Sequence, residues 1–139
     1  MKSLTRRLLF GLPIPFLART AQAQDPISRF RPELWHRTEL YFGTARANGA
    51  DVTDEQFAQF IDQHVTPRFP DGLTLLSGYG QYRTASGVIN KEKSFLLILF
   101  FPPSMRDAGR HIEELRNIYK STFQQEAVLR ADSGMPVSF

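Results

Sequence analysis

An α+β fold with element order βαββαβ is predicted by three features of the sequence. The first is Ser94-Phe95-Leu96-Leu97-Ile98-Leu99-Phe100-Phe101, apolar at seven successive positions and stopped by Pro102-Pro103. A run this short does not span a bilayer as a helix, and its Phe and Ile content with a proline stop favours a strand. The other two features are stretches on either side of it that carry apolar residues at helical spacing. Each is bracketed by shorter runs that alternate.

In chain order, residues 1–23 read as an export signal. Lys2, Arg6 and Arg7 precede a modest apolar segment, and Ala21-Gln22-Ala23 gives the small-x-small cleavage pattern. Pro13 and Pro15 interrupt that segment and disfavour a stable membrane span. Thr5-Arg6-Arg7-Leu8-Leu9-Phe10 also resembles a twin-arginine signal, so the general secretory and twin-arginine routes both stand open. The expected location is periplasmic or secreted. Residues 24–34 read as a flexible leader and residues 35–139 as one α+β domain, with no repeat, low-complexity tract or second domain.

Strand one is expected at Arg37–Phe42, with Leu40 and Phe42 on one face and Glu39 and Tyr41 on the other. A loop with a turn at Asn48-Gly49 follows. Thr53-Asp54-Glu55-Gln56 fits a capping box and starts a helix whose apolar face carries Phe57, Phe60, Ile61, His64 and Val65, ending before Pro67. Strand two is expected at Leu73–Arg83, where Gly78 and Gly80 suggest a bulge or close backbone contact. A turn at Ala85-Ser86-Gly87 returns the chain as strand three, Val88–Phe101, in an antiparallel hairpin. Ser104-Met105-Arg106-Asp107 caps a second helix with Ala108, Ile112, Leu115, Tyr119 and Thr122 or Phe123 as its buried stripe. Glu126–Asp132 forms the last strand, and Val137 and Phe139 pack on an edge.

This order is the split βαβ arrangement of ferredoxin-like folds, a four-stranded antiparallel sheet with both helices on one face. Strand three is then central, with Phe95, Leu97, Leu99 and Phe101 against the helices and Leu96, Ile98 and Phe100 on an open face. An apolar open face calls for a cover, and a homodimer packed sheet to sheet with a small pocket between is the expected one.

The charge narrows function. The whole chain has pI ≈ 9.5, but Lys2, Arg6, Arg7 and Arg19 all lie in the signal. Without them, 13 basic residues face 14 acidic ones, a net charge of −1. Electrostatic capture of nucleic acid loses its support. The chain has no cysteine, so it offers no disulfide, thiol nucleophile or thiolate metal site. His36, His64 and His111 lie in separate elements without metal-ligand spacing, so neither metal nor cofactor is expected.

Several segments resemble the bacterial family called domain of unknown function 3574. They are Arg37-Thr38-Glu39-Leu40-Tyr41-Phe42-Gly43, Val65-Thr66-Pro67-Arg68-Phe69-Pro70-Asp71-Gly72-Leu73-Thr74, Gly80-Gln81-Tyr82-Arg83, Gln125 to Ser133, and Val137-Ser138-Phe139. Tyr82 stands where the family pattern has tryptophan, and Ala131 where it has valine. The resemblance covers essentially the whole mature chain and implies small exported proteins with no assigned activity.

The candidate ligand-binding residues are polar. Glu39, Tyr41, Gln81, Arg83 and Arg130 are expected to share the open sheet face. There Arg holds a carboxylate or phosphate and Glu or Tyr moves a proton, or the set is an ion-pair network bordering an interface. Arg68 and Asp71 form a second pair in the rigid connector, with Asp71 expected to hydrogen-bond its own backbone and Arg68 to bind an anion or simply pack. The expectation is an envelope binding or interaction module, with a homodimer, a small molecule or an envelope protein as partner. The alternative is a cofactor-independent enzyme acting on a small organic substrate.

Overall fold

A computed structural model describes residues 32–46, 48–83 and 85–139. The expected signal and the leader up to Arg31 lie outside the described residues. The elements are β1 (Glu33–Gly43), α1 (Asp54–Phe60) continued by a π-helical turn (Ile61–Val65), β2 (Thr74–Arg83), β3 (Ile89–Phe101), α2 (Ala108–Phe123) and β4 (Leu129–Val137). The sheet runs β2-β3-β1-β4 with every neighbouring pair antiparallel. This is the ferredoxin-like α+β arrangement. Its first and third strands sit in the middle, and both helices cover one face.

The core follows from alternation in the central strands. Leu40 and Phe42 of β1 and Phe95, Leu97, Leu99 and Phe101 of β3 are buried against Phe57, Phe60, Ile61 and Val65 from the first helix and Ile112, Leu115 and Tyr119 from α2. Phe57 stacks flat on Phe95, with ring centroids 3.9 Å apart, and Phe42 meets the Tyr119 ring at 4.6 Å. Tyr119 is the largest fully buried side chain, and its hydroxyl donates to the Gly43 carbonyl at 2.9 Å. That bond satisfies the polar tip of an otherwise apolar plug. The phenol pKa is pushed well above its ordinary value, chiefly by burial.

The first helix opens with the expected reciprocal cap. The Gln56 N–H donates to the Thr53 hydroxyl, and the Thr53 N–H donates to the Gln56 side chain. The last turn widens, with the Thr66 N–H reaching the Ile61 carbonyl at 2.9 Å. Pro67 has no N–H with which to continue the helix.

Four expectations are corrected. β1 begins at Glu33, so Trp35 and His36 lie inside it. β4 begins at Leu129 and continues to Val137, since the longer β1 gives it a partner down to the Glu33–Val137 pair. Pro136 is tolerated there because β4 is an edge strand. Gly78 and Gly80 make neither a bulge nor a close contact: the β2–β3 register is unbroken, and a Cβ at Gly78 would meet nothing within 4 Å. Asp107 precedes α2 without capping it through its side chain. Its carboxylate instead takes His111 at 2.9 Å.

Candidate functional site

Register sorts every side chain onto one of two faces. Tyr41 pairs with Leu96, Glu39 with Ile98 and Arg37 with Phe100 across β1–β3, and all six point away from the helices. Across β1–β4, Leu129, Ala131 and Ser133 join the same face. Across β2–β3, Thr74 and Leu76 do so. The open face is therefore an apolar field crossed by one polar row along β1.

That row balances its own charge, although the buried Arg37 Nε has no hydrogen-bond partner among the described residues. Arg37 pairs with Glu39 at 2.5 Å, and the Tyr41 hydroxyl donates to the other Glu39 oxygen at 2.5 Å. This bond holds the Tyr41 pKa above its ordinary value, since ionising the phenol would remove the donor beside a carboxylate. The Arg37 guanidinium also lies over the Phe100 ring, 5.7 Å from its centroid. Arg37 and Glu39 neutralise each other, so the row carries no net charge into the apolar field.

Of the five residues expected to share this face, only Glu39 and Tyr41 do. Arg130 pairs with Leu40, and Gln81 and Arg83 pair with Lys91 and Ile89, positions of helix-side parity. Arg130 is built into a chain of ion pairs instead. It meets Glu113 of α2 at 2.8 Å and Asp132 at 2.8 Å. Asp132 in turn accepts the buried Thr38 hydroxyl at 2.6 Å, and Arg116 holds Glu113 and the Val128 carbonyl. The two arginines keep the Glu113 carboxyl below its ordinary range, with the Arg130 hydrogen bond the largest cause. This set fastens α2 to the edge strand.

Arg68 also has a fastening role. Its Nη1 donates to the His64 carbonyl at 2.8 Å, and its Nε meets Glu114 at 3.3 Å. It ties the end of the first helix to α2 and lies apart from Asp71 chemically. The turn at Asp71 closes through the backbone, Gly72 N–H to the Phe69 carbonyl at 3.5 Å, with Gly72 at φ 136°. Among the described residues, no hydrogen bond or ion pair engages the Asp71 carboxylate.

The connector instead walls a groove at one end of the open face. Trp35, Leu73, Ile98, Phe100 and Phe139 line it together with Asp71, and it encloses about 470 Å³. The Trp35 and Phe139 rings stand 5.0 Å apart, and the Trp35 indole N–H donates to Glu33 at 3.0 Å. The size suits a small organic molecule. Trp35 lies outside a strand begun at Arg37, so a groove residue is not visible from that start. Extending its alternation back two residues from Arg37 puts Trp35 on the face of Glu39 and Tyr41. Among the described residues no group of acidic or histidine side chains is placed to hold a metal ion, and no helix is long and apolar enough to cross a membrane.

No curated protein matches the sequence. Among solved structures, a phage SAM lyase in complex with S-methyl-5'-thioadenosine is similar at TM-score 0.57 and 16% identity, over 74% of this chain and 90% of that one. The apo state of a phage SAM lyase is similar at TM-score 0.52 and 13% identity, over 75% and 90%. CutA from Synechococcus elongatus PCC7942 follows at TM-score 0.49 and 9% identity, over 77% and 81%. At these identities the likeness to the lyase is one of fold. The family model described as protein of unknown function (DUF3574) matches residues 37–139, and the chain belongs to that family.

Proposed function

We propose that the protein is a small exported binding module of the cell envelope that self-associates as a homodimer through the open face of its sheet. The observation that carries this reading is the composition of that face. Leu76, Leu96, Ile98, Phe100 and Leu129 give β2, β3 and β4 an apolar field on which no helix of the described residues lies, and the polar row along β1 between them is internally neutralised. Exposed apolar fields of this extent mark interaction surfaces. A second copy suits it because the centre of the face, where Arg37 and Glu39 neutralise each other, presents no net charge to repel itself and no unpaired carboxylate. The Trp35–Phe139 groove, at the end of the face, is the pocket left for a small molecule.

The enzyme alternative loses its first basis, because alternation divides Glu39 and Tyr41 from Arg83 and Arg130. What supports it now is the groove, together with a fold shared with a lyase solved holding S-methyl-5'-thioadenosine. Native mass spectrometry of the mature protein tests both readings. Twice the monomer mass is expected, with Leu96→Asp returning the monomer at unchanged circular dichroism. A wild-type monomer at every concentration overturns the dimer. A retained molecule that the protein converts on incubation replaces the binding module with the enzyme.

A further inference from the structure

The groove's lining specifies the charge of its ligand. Among the described residues, Asp71 is the sole charged side chain of the lining, and it stands exposed on the Phe69–Gly72 turn with its carboxylate engaged by no hydrogen bond or ion pair. The rest of the lining is aromatic or aliphatic apart from the Thr74 and Ser138 hydroxyls. A second, smaller apolar hollow of about 330 Å³ lies against the same turn and shares Asp71, Gly72 and Phe100. Asp71 therefore lies where two apolar hollows meet.

The neighbouring charges agree in sign. Glu33 holds the Trp35 indole, adding a second carboxylate beside the groove. The nearest cation on the open face, Arg37, is paired with Glu39 and lies over Phe100. Faces of tryptophan and phenylalanine rings attract cations through their quadrupoles, and a carboxylate beside apolar walls gains most when its partner brings a flat apolar body and one positive charge.

We propose that this groove binds an aromatic amine, a molecule with a flat apolar body against Trp35, Phe100 and Phe139 and a protonated nitrogen on the Asp71 carboxylate. The inference deepens the binding-module reading and rests on it in one respect, that the groove stays open when two sheets meet.

Two dansyl probes of opposite charge test it, dansylcadaverine as the cation and dansylglycine as the anion. Trp35 is the single tryptophan of the chain and lies in the groove, so energy transfer from it to the dansyl ring reports binding there. Dansylcadaverine is expected to bind about tenfold tighter than dansylglycine, the ratio that one favourable ionic contact supplies. The Asp71→Asn variant should bring the two probes together. Added salt should narrow the wild-type ratio, a check that needs no variant to fold. Equal binding of the two probes by the wild type, binding without energy transfer, or a preference that survives Asp71→Asn overturns the proposal. Native mass spectra of the same samples separate the two ideas. A monomer that keeps the cation preference leaves this inference standing without the dimer, and a dimer without the preference does the reverse.

Discussion

Gly43→Ala is a sensitive probe of how the end of β1 is built. A Cβ at Gly43 would lie 2.9 Å from Glu92 Oε2, 3.1 Å from Oε1 and 3.3 Å from the Gln125 amide oxygen. The obstruction is the tip of a flexible side chain, so the clash itself relaxes at small cost. What is lost in relaxing it is the work of that carboxylate, whose Oε2 accepts the Thr44 N–H at 3.0 Å and the Ala45 N–H at 2.9 Å. Ala45 is exposed, and water replaces its bond. Thr44 is fully buried, so its N–H bears the desolvation, about 2 kcal/mol for a hydrogen bond to a charged acceptor. Replacing glycine restricts the unfolded chain and returns about 0.4–1 kcal/mol. The expected net loss is about 1–2 kcal/mol by urea denaturation. In a Glu92→Ala background the obstruction and the bonds are already gone, so Gly43→Ala should become neutral or mildly stabilising. An equal loss in both backgrounds would refute the reasoning, because the obstacle would then not be the Glu92 carboxylate.

Two further predictions concern the sheet and its fastening. Leu97→Ala empties a fully buried site under both helices and should cost about 2–5 kcal/mol, whereas Leu96→Ala on the open face should cost distinctly less; parallel urea titrations that ranked them the other way would contradict the assignment of faces. Glu113 has a folded pKa below its ordinary value, so its stabilisation is present above the ordinary glutamate range and disappears as pH falls through the depressed value. Glu113→Gln should therefore flatten the acid limb of the stability curve, by less than about 1 kcal/mol for so exposed a pair, and an unchanged limb would remove Glu113 from the fastening.

Element order and the core stripe were legible because they depend on periodicities local to each element. Phe57, Phe60, Ile61 and Val65 face inward as their spacing requires, and so do Ala108, Ile112, Leu115, Tyr119 and Phe123. Which face of the sheet a strand's alternate set occupies depends on register with its neighbours, which no single strand encodes. β4 shows the difficulty. Ala127, Leu129 and Ala131 outnumber Val128 in apolar residues, yet Val128 is buried and Leu129 is exposed, so Arg130 and Asp132 point toward the helices. The groove was hidden for a related reason. Trp35, Phe100, Asp71 and Phe139 are far apart in sequence, and only the pairing of Glu33 with Val137 draws the first and last of the described strands to one end.

The position of β1 in the sheet has a consequence for synthesis. β1 is the first of the described strands to leave the ribosome, yet both its edges are filled by later strands, and its β4 partners span Leu129–Val137. Until β4 emerges, one side of β1 presents a row of unpaired amides and carbonyls, a template for strands of other chains. The pairing of greatest sequence separation is also the one that completes the sheet of the described residues, so long-range contacts are many and completion waits for β4. Nascent chains arrested before Leu129 should thus remain open, captured by holding chaperones and cut readily by proteases, while full-length chains resist both.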